Sequence, residues 1–297
     1  MSPAAPNTPS LQRETARVVE NRRLAGDQYL MRLQAPATAA GARPGHFVHL
    51  VCGEGFTLPR PFSILDADSP AGTLDLLYRV VGRGTSAMAA WTPGREAPLL
   101  GPAGRPFTEP AAGATLVLVA GGVGLAPLDF LARRAQARGC GVTLFLGTES
   151  LPPFPTRTTQ TPLAGVAADV DLALTRYPED LAVRLAALRP RPGFYQGYVT
   201  GLARAHLAAL EDRQRAGIRL YSCGPLPMMA AVARLGAEFG LWGEVSLEAH
   251  MACGFGGCAG CAAPMIDGEG PDAWRYRRVC AEGPVFAMAE VAWHRFS

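Results

Sequence analysis

Seven cysteines punctuate the chain, and four of them stand in a pattern that can hold metal. Cys253, Cys258 and Cys261 form a C-x4-C-x2-C run, and Cys280 follows at a distance. That is the plant-type [2Fe–2S] spacing, in which four thiolates hold two irons. Gly254, Gly256, Gly257 and Gly260 let such a loop fold closely around a cluster, leaving backbone N–H groups free to bond to sulfur. A structural zinc also accepts four thiolates. Zinc ribbons, however, pair short C-x2–4-C knuckles at both ends, and here the distal half offers Cys280 alone. An odd cysteine count crowded toward one end argues for metal in a reducing compartment rather than for disulfides. Cys52 and Cys140 fall in strand-like or turn settings and read as small buried hydrophobes.

Two glycine turns suit a dinucleotide. Gly121, Gly122 and Gly124, with Pro127 three residues on, follow an apolar strand and open a helix, where backbone can approach phosphate closely. Pro127 takes the last position, so the string is not a true G-x-G-x-x-G. Cys223, Gly224 and Pro225 end a later strand, at the edge where ligands of open α/β sheets bind. Glu149, after the second strand of that sheet, is placed to favour a ribose hydroxyl and hence NAD over NADP. Further upstream, Arg60, Pro61, Phe62 and Ser63 offer a guanidinium and a hydroxyl on adjacent backbone, suited to a flavin phosphate. Leu77, Tyr78 and Arg79, then Gly84 and Thr85, are expected to complete that pocket, with Tyr78 against the flavin ring.

These residues need elements to position them. Residues 11–109 read as short strands between Gly and Pro clusters, such as 47–51 and 74–81, which predicts a small antiparallel barrel. Residues 110–243 alternate strand and helix, which predicts a parallel sheet. Its strands are 115–120, 142–147 and 218–223. One helical face carries Leu128, Leu131, Ala132 and Ala135; another carries Met228, Val232, Leu235 and Phe239. Residues 151–165 read as a surface loop and 202–214 as one helix. Residues 244–297, rich in Cys and Gly, bury little apolar surface and need a metal staple. The first ten residues read as a tail with no signal-peptide pattern.

Composition narrows the class. The 297 residues are 48 % hydrophobic and 18 % charged, with net charge +3. That is globular, and too weakly basic to argue for nucleic acid. The uncharged stretch 110–128 reads as a strand and glycine turn rather than a membrane span. A soluble, cytoplasmic protein is expected. Of five histidines, His46, His49, His206 and His294 read as packing or surface residues, and only His250 lies close to the cysteine loop.

Taken together, these strings resemble the ferredoxin–NADP reductase superfamily, and within it the electron-transfer subunits of class 1B dihydroorotate dehydrogenases. The resemblance rests on residues 60–63, 77–85, 121–127, 221–228, 248–253 and 278–286, and covers nearly the whole chain after residue 11. It implies an FAD barrel, an NAD-binding α/β domain and a [2Fe–2S] module, with Cys253, Cys258, Cys261 and Cys280 as ligands and Cys223 near the nicotinamide. It also implies a heterotetramer with two FMN-bearing catalytic subunits, whose electrons pass through the cluster and FAD to NAD⁺ for pyrimidine biosynthesis. Three places depart from the family pattern: Gly104–Phe107, Asp169–Tyr177, and the long gap from Cys261 to Cys280. Two other readings stay open. One is a diaphorase subunit of a sulfide dehydrogenase, bifurcating NAD(P)H:ferredoxin reductase or hydrogenase. The other is a non-catalytic nucleotide-binding regulator with a structural zinc.

Overall fold

The computed structural model describes residues 11–268 and 273–296; the tail expected over residues 1–10 lies outside them. Six strands close the barrel: β1 (Gln12–Arg23), β2 (Gln28–Gln34), β3 (Phe47–Leu50), β4 (Arg60–Asp68), β5 (Thr73–Arg79) and β6 (Glu96–Ala103), in the order β1-β2-β5-β4-β3-β6. Every pairing is antiparallel. Strand alternation sends Val48 and Leu50 of β3 into the barrel core, while Phe47 packs into the core of the neighbouring sheet. Two short helices escape a strand-only reading of this half: α1 (Pro36–Gly41) and α2 (Arg83–Ala89). The Thr85 hydroxyl accepts from the N–H groups of Val81 and Gly82 and fixes the start of α2.

The connecting segment is pinned as it leaves the barrel. Thr108 donates its backbone N–H (2.8 Å) and its hydroxyl (2.7 Å) to the Glu244 carboxylate on the sheet beyond.

That sheet begins with β7 (Thr115–Gly121), the turn Gly122–Gly124, α3 (Leu125–Gln136) and β8 (Gly141–Gly147). The expected helix face is buried at Leu128, Leu131, Ala132 and Ala135. Residues 151–165 contain a short strand, β9 (Thr156–Thr158), which pairs with β10 (Leu172–Leu174), so the loop expected there is a small two-stranded lobe. The lobe is tied to α3 by Asp129. Arg176 donates to both of its oxygens at 2.9 Å, and the Tyr177 hydroxyl donates at 2.5 Å. Residues 169–177, one of the departures from the family pattern, thus serve as the anchor of this lobe.

The chain continues through β11 (Ala182–Ala187), β12 (Tyr195–Gln196), α4 (Val199–Ala209), α5 (Asp212–Arg215), β13 (Ile218–Cys223), α6 (Leu226–Glu238) and β14 (Trp242–Ser246). The single helix expected over 202–214 is broken at Leu210 and Glu211. Both are extended, Glu211 and Gln214 form a capping box for α5, and Arg215 donates to the carbonyls of Leu207 and Leu210.

The last segment adds β15 (Ala262–Ile266), β16 (Trp274–Arg278), α7 (Val279–Glu282) and β17 (Val285–Ala287). The main sheet runs β12-β11-β8-β7-β13-β14-β17, parallel throughout except for the antiparallel β14–β17 edge. The boundary expected between residues 243 and 244 falls inside β14, and β17 returns from the cysteine segment to complete the same sheet. The chain moves outward from β7 through β8 and β11 on one side, and through β13 and β14 on the other. The strand order therefore reverses between β7 and β13. The uncharged stretch 110–128 is β7 with the start of α3, and no helix among the described residues is long and apolar enough to cross a membrane.

Candidate functional site: two clefts and a cysteine loop

The reversal between β7 and β13 opens a crevice at the carboxyl ends of both strands, where open α/β sheets bind ligands. Both glycine turns lie there. Gly121, Gly122 and Pro225 line a cleft of about 770 Å³, together with Thr148, Glu149 and Arg234. Gly124, Gly224 and Pro127 do not line this cleft. A Cβ on Gly124 would come within 2.3 Å of the Cys223 carbonyl, and one on Gly224 within 2.9 Å of the Gly121 backbone. These glycines let the two turns lock together, and Pro127 is buried in α3. Glu149 borders the cleft 3.5 Å from Arg79, a contact between the sheet and the barrel.

A second cleft, of about 720 Å³, lies between barrel and sheet. Every barrel residue singled out from the sequence lines it: Arg60, Pro61, Phe62, Ser63, Leu77, Tyr78, Arg79, Gly84 and Thr85. Arg60, Arg79 and Arg83 bring positive charge, the donor chemistry a pyrophosphate needs. Tyr78 lines the cleft and is also part of the barrel packing. It is only 2 % exposed, stacked on Tyr29 with centroids 5.3 Å apart, and its hydroxyl donates to Asn21 at 3.0 Å. Burial holds its hydroxyl above the usual phenol range, ahead of any effect of Asn21.

Cys223 closes the far wall of this cleft. Burial pushes its thiol well above the usual range and the nearby Glu248 adds to the effect. Glu248 carries no motif of its own in the sequence, only a place in the 248–253 string. It borders both clefts, and its side chain is open to cleft solvent on one side and crowded by protein on the others, which raises its carboxyl. Its signal was its place just after β14, at the same carboxyl edge.

The cysteine loop begins where this wall ends, since Ala249, His250 and Met251 line the second cleft just before Cys253. The long gap from Cys261 to Cys280 carries the antiparallel pair β15–β16. In that register Ala262 faces Arg278, so the two cysteines flanking the strands meet, and the Cys280 N–H donates to Cys261 Sγ at 3.3 Å. Among the described residues, no three Cys, His, Asp or Glu side chains converge as a single-ion site. Cys253 interacts with Cys258 and Cys280 with Cys261, and Cys280 also feels Cys253. Two thiolates per iron is the demand of a two-iron cluster, whereas a structural zinc wants four around one ion. The loop backbone is turned inward. Gly256 N–H donates to Cys280 Sγ at 3.1 Å and Gly260 N–H to Cys258 Sγ at 3.4 Å. Burial raises the Cys253 thiol, but N–H groups of Phe255, Cys258 and Gly257 and the Cys258 thiol together bring it down to about 6. Burial and the neighbouring Cys261 thiol instead push Cys280 up to about 12, so the inward-turned N–H groups and the four-cysteine donor set, rather than a uniform shift, are what fit an iron–sulfur cluster. Cys52 and Cys140 are buried away from it, as expected of packing residues.

A six-stranded barrel, a parallel sheet with a crevice at its strand reversal and a cysteine module define a ferredoxin-reductase-type fold. The whole-chain likeness agrees: a solved NADH-dependent reduced ferredoxin–NADP oxidoreductase superposes with TM-score 0.74 at 24 % identity, covering 94 % of this chain and 90 % of that one. Residues 248–292 match the family described as the iron-sulfur cluster binding domain of dihydroorotate dehydrogenase B. The electron transfer subunit of dihydroorotate dehydrogenase B (NAD(+)) from Desulforamulus reducens is 35 % identical over 94 % of this chain and 97 % of its own. The subunit of that name from Bacillus cereus strain Q1 is 32 % identical over 95 % of this chain and 99 % of its own. The chain belongs to the dihydroorotate dehydrogenase B electron transfer subunit family.

Proposed function

We propose that this chain is the electron-transfer half of an NAD-dependent dihydroorotate dehydrogenase. It works with FAD, a [2Fe–2S] cluster and NAD⁺, and pairs with an FMN-bearing catalytic subunit in an assembly of two plus two. The observation that carries this reading is the continuity of the three sites. Arg79, Val123 and Glu248 border both clefts, and His250 and Met251 lead from the second cleft to Cys253.

When bound, the flavin and the cluster supply the interchange between two-electron hydride chemistry and one-electron transfer. The chain's own residues position and tune them. In this reading Arg60, Pro61, Phe62, Ser63, Leu77, Arg79, Gly84 and Thr85 hold the FAD, and Tyr78 supports that wall from within the barrel. Gly121, Gly122 and Pro225 admit the dinucleotide, Gly124, Pro127 and Gly224 shape its crevice, and Cys223 and Glu248 stand where nicotinamide and flavin meet. Cys253, Cys258, Cys261 and Cys280 are the cluster ligands. The three units proposed are residues 11–109, 110–243 and 244–297, the last two stitched into one sheet by β14 and β17. No general base for dihydroorotate is assigned here; it belongs to the catalytic subunit.

The test is coexpression with a candidate catalytic subunit from the same genome. The reading expects an FMN-containing subunit to copurify and the pair to form NADH from NAD⁺ and dihydroorotate. A pair that reduces polysulfide or ferredoxin with NAD(P)H and ignores dihydroorotate would replace it with the diaphorase reading.

A further inference from the structure

His49 sits where the barrel meets the cluster loop, and its ring is unaccounted for. It lies on β3, paired with Pro61 of the Arg60–Ser63 string on one side and with Leu100 of β6 on the other. Its neighbours Val48 and Leu50 point into the barrel, so His49 points out of it, on the same side as Phe47. The side chain is 1 % exposed, and neither Nδ1 nor Nε2 makes a well-aligned hydrogen bond, the Cys253 carbonyl being the one acceptor close enough to favour a ring N–H. A Cβ on Gly254 would approach Nδ1 to 2.4 Å and Cγ and Cε1 to 2.8 Å. The ring is therefore laid against the residue next to Cys253. The Cys253 carbonyl faces it and the Arg60 guanidinium acts on it electrostatically.

A buried polar group without a partner costs free energy, and in a native fold it calls for an explanation such as an absent ion or ligand. An imidazole carries at least one N–H whatever its charge. The acceptors that a loaded loop would add are the anionic sulfurs of the cluster, whose potential responds to hydrogen bonds. Resting on the cluster reading above, we propose that His49 is a positioning residue for electron transfer. It donates its ring N–H to anionic sulfur of the [2Fe–2S] cluster and seats the Cys253–Gly254 turn against the flavin strand. This adds to the buried packing role expected of His49 from the sequence. A donor to sulfur stabilises the more negative, reduced cluster and so raises its potential.

The experiment uses the full chain with its copurifying partner, after iron and sulfide are quantified. Protein labelled with ¹⁵N-histidine is reduced and its cluster examined by pulsed EPR. A histidine-nitrogen coupling is expected that persists in His250→Gln and is lost in His49→Asn. In EPR-monitored redox titrations, His49→Phe should lower the cluster midpoint while the flavin midpoint stays at its parent value, and His49→Gln, which keeps an N–H donor, should lie nearer the parent. No histidine coupling in the parent, a coupling that disappears with His250→Gln, or an unchanged midpoint in a fully loaded His49→Phe would overturn the proposal. If His49→Phe fails to load its cluster, the labelled parent and His250→Gln decide alone. A parent without iron and sulfide removes the cluster reading itself; a full cluster without the coupling removes only the role of His49.

Discussion

The alpha carbon of Gly124 faces the backbone carbonyl of Cys223 so closely that a Cβ there would stand 2.3 Å from its oxygen and 2.5 Å from its carbon. The two dinucleotide turns are locked by this contact, and backbone cannot step aside as a flexible side chain can. Gly124→Ala should therefore cost about 1–3 kcal/mol, the range for overpacking, and raise the KM for NADH in dye-linked assays. Gly217→Ala, which meets nothing within 4 Å, is the control and should stay within about 0.5 kcal/mol of the parent. Thermal unfolding of the two variants checks this; equal stability would mean the turns are not locked.

Asp129 is fully buried and holds both Arg176 and the Tyr177 hydroxyl. Asp129→Asn leaves the Arg176 guanidinium, only 16 % exposed, without its counter-charge. Breaking a buried pair from one side costs roughly 3–5 kcal/mol. Denaturant unfolding should show a loss of that size, with residues 151–180 the first to gain protease sensitivity. A loss under about 1 kcal/mol would show that the pair behaves like a surface contact.

Much of the site was legible because its signals are local. The cysteine spacing, the Gly121–Gly124 turn after a buried strand, and the Arg60–Ser63 string each carry their chemistry within a few residues. What was not legible depends on contacts distant in sequence. The meeting of Cys261 with Cys280 needs the β15–β16 register. The return of β17 to the main sheet needs β14 as its partner. Nothing near Glu211 in a periodicity reading reveals that its capping box would outweigh helix continuation. The sequence offered Tyr78 for the flavin pocket, but its stacking on Tyr29 depends on the β2–β5 pairing and was not legible. His49 looked like any core histidine until its buried ring nitrogens were placed beside Gly254.

Glu244 links the barrel exit to the sheet, and burial raises its carboxyl despite two hydrogen bonds from Thr108. A raised folded-state value means that the folded chain binds the proton more tightly than the unfolded chain. Its contribution is thus fully present below the ordinary value of 4.5 and lost as pH rises through the raised one. Glu244→Gln should unfold at a higher temperature than the parent at and above neutral pH, and the difference should shrink as pH falls below 4.5. A variant less stable than the parent at neutral pH would show that the ionised carboxylate is a net gain.

Glu149 borders the cleft proposed for the dinucleotide, beside Arg79. A carboxylate there welcomes a ribose hydroxyl and repels a 2′-phosphate. Glu149→Ser should narrow the preference for NADH over NADPH in kcat/KM by about tenfold, or ~1.4 kcal/mol. An unchanged ratio would move the discrimination elsewhere in the cleft.

The continuity of the two clefts with the cysteine loop is tested most directly by anaerobic titration of the purified chain with NADH, followed by absorption and EPR on the same sample. The account predicts that the flavin bleaches and that a spin signal from one [2Fe–2S] cluster per chain appears as reductant is added. Flavin that bleaches with no cluster signal from an iron-loaded sample, or a colourless sample carrying zinc, would contradict it.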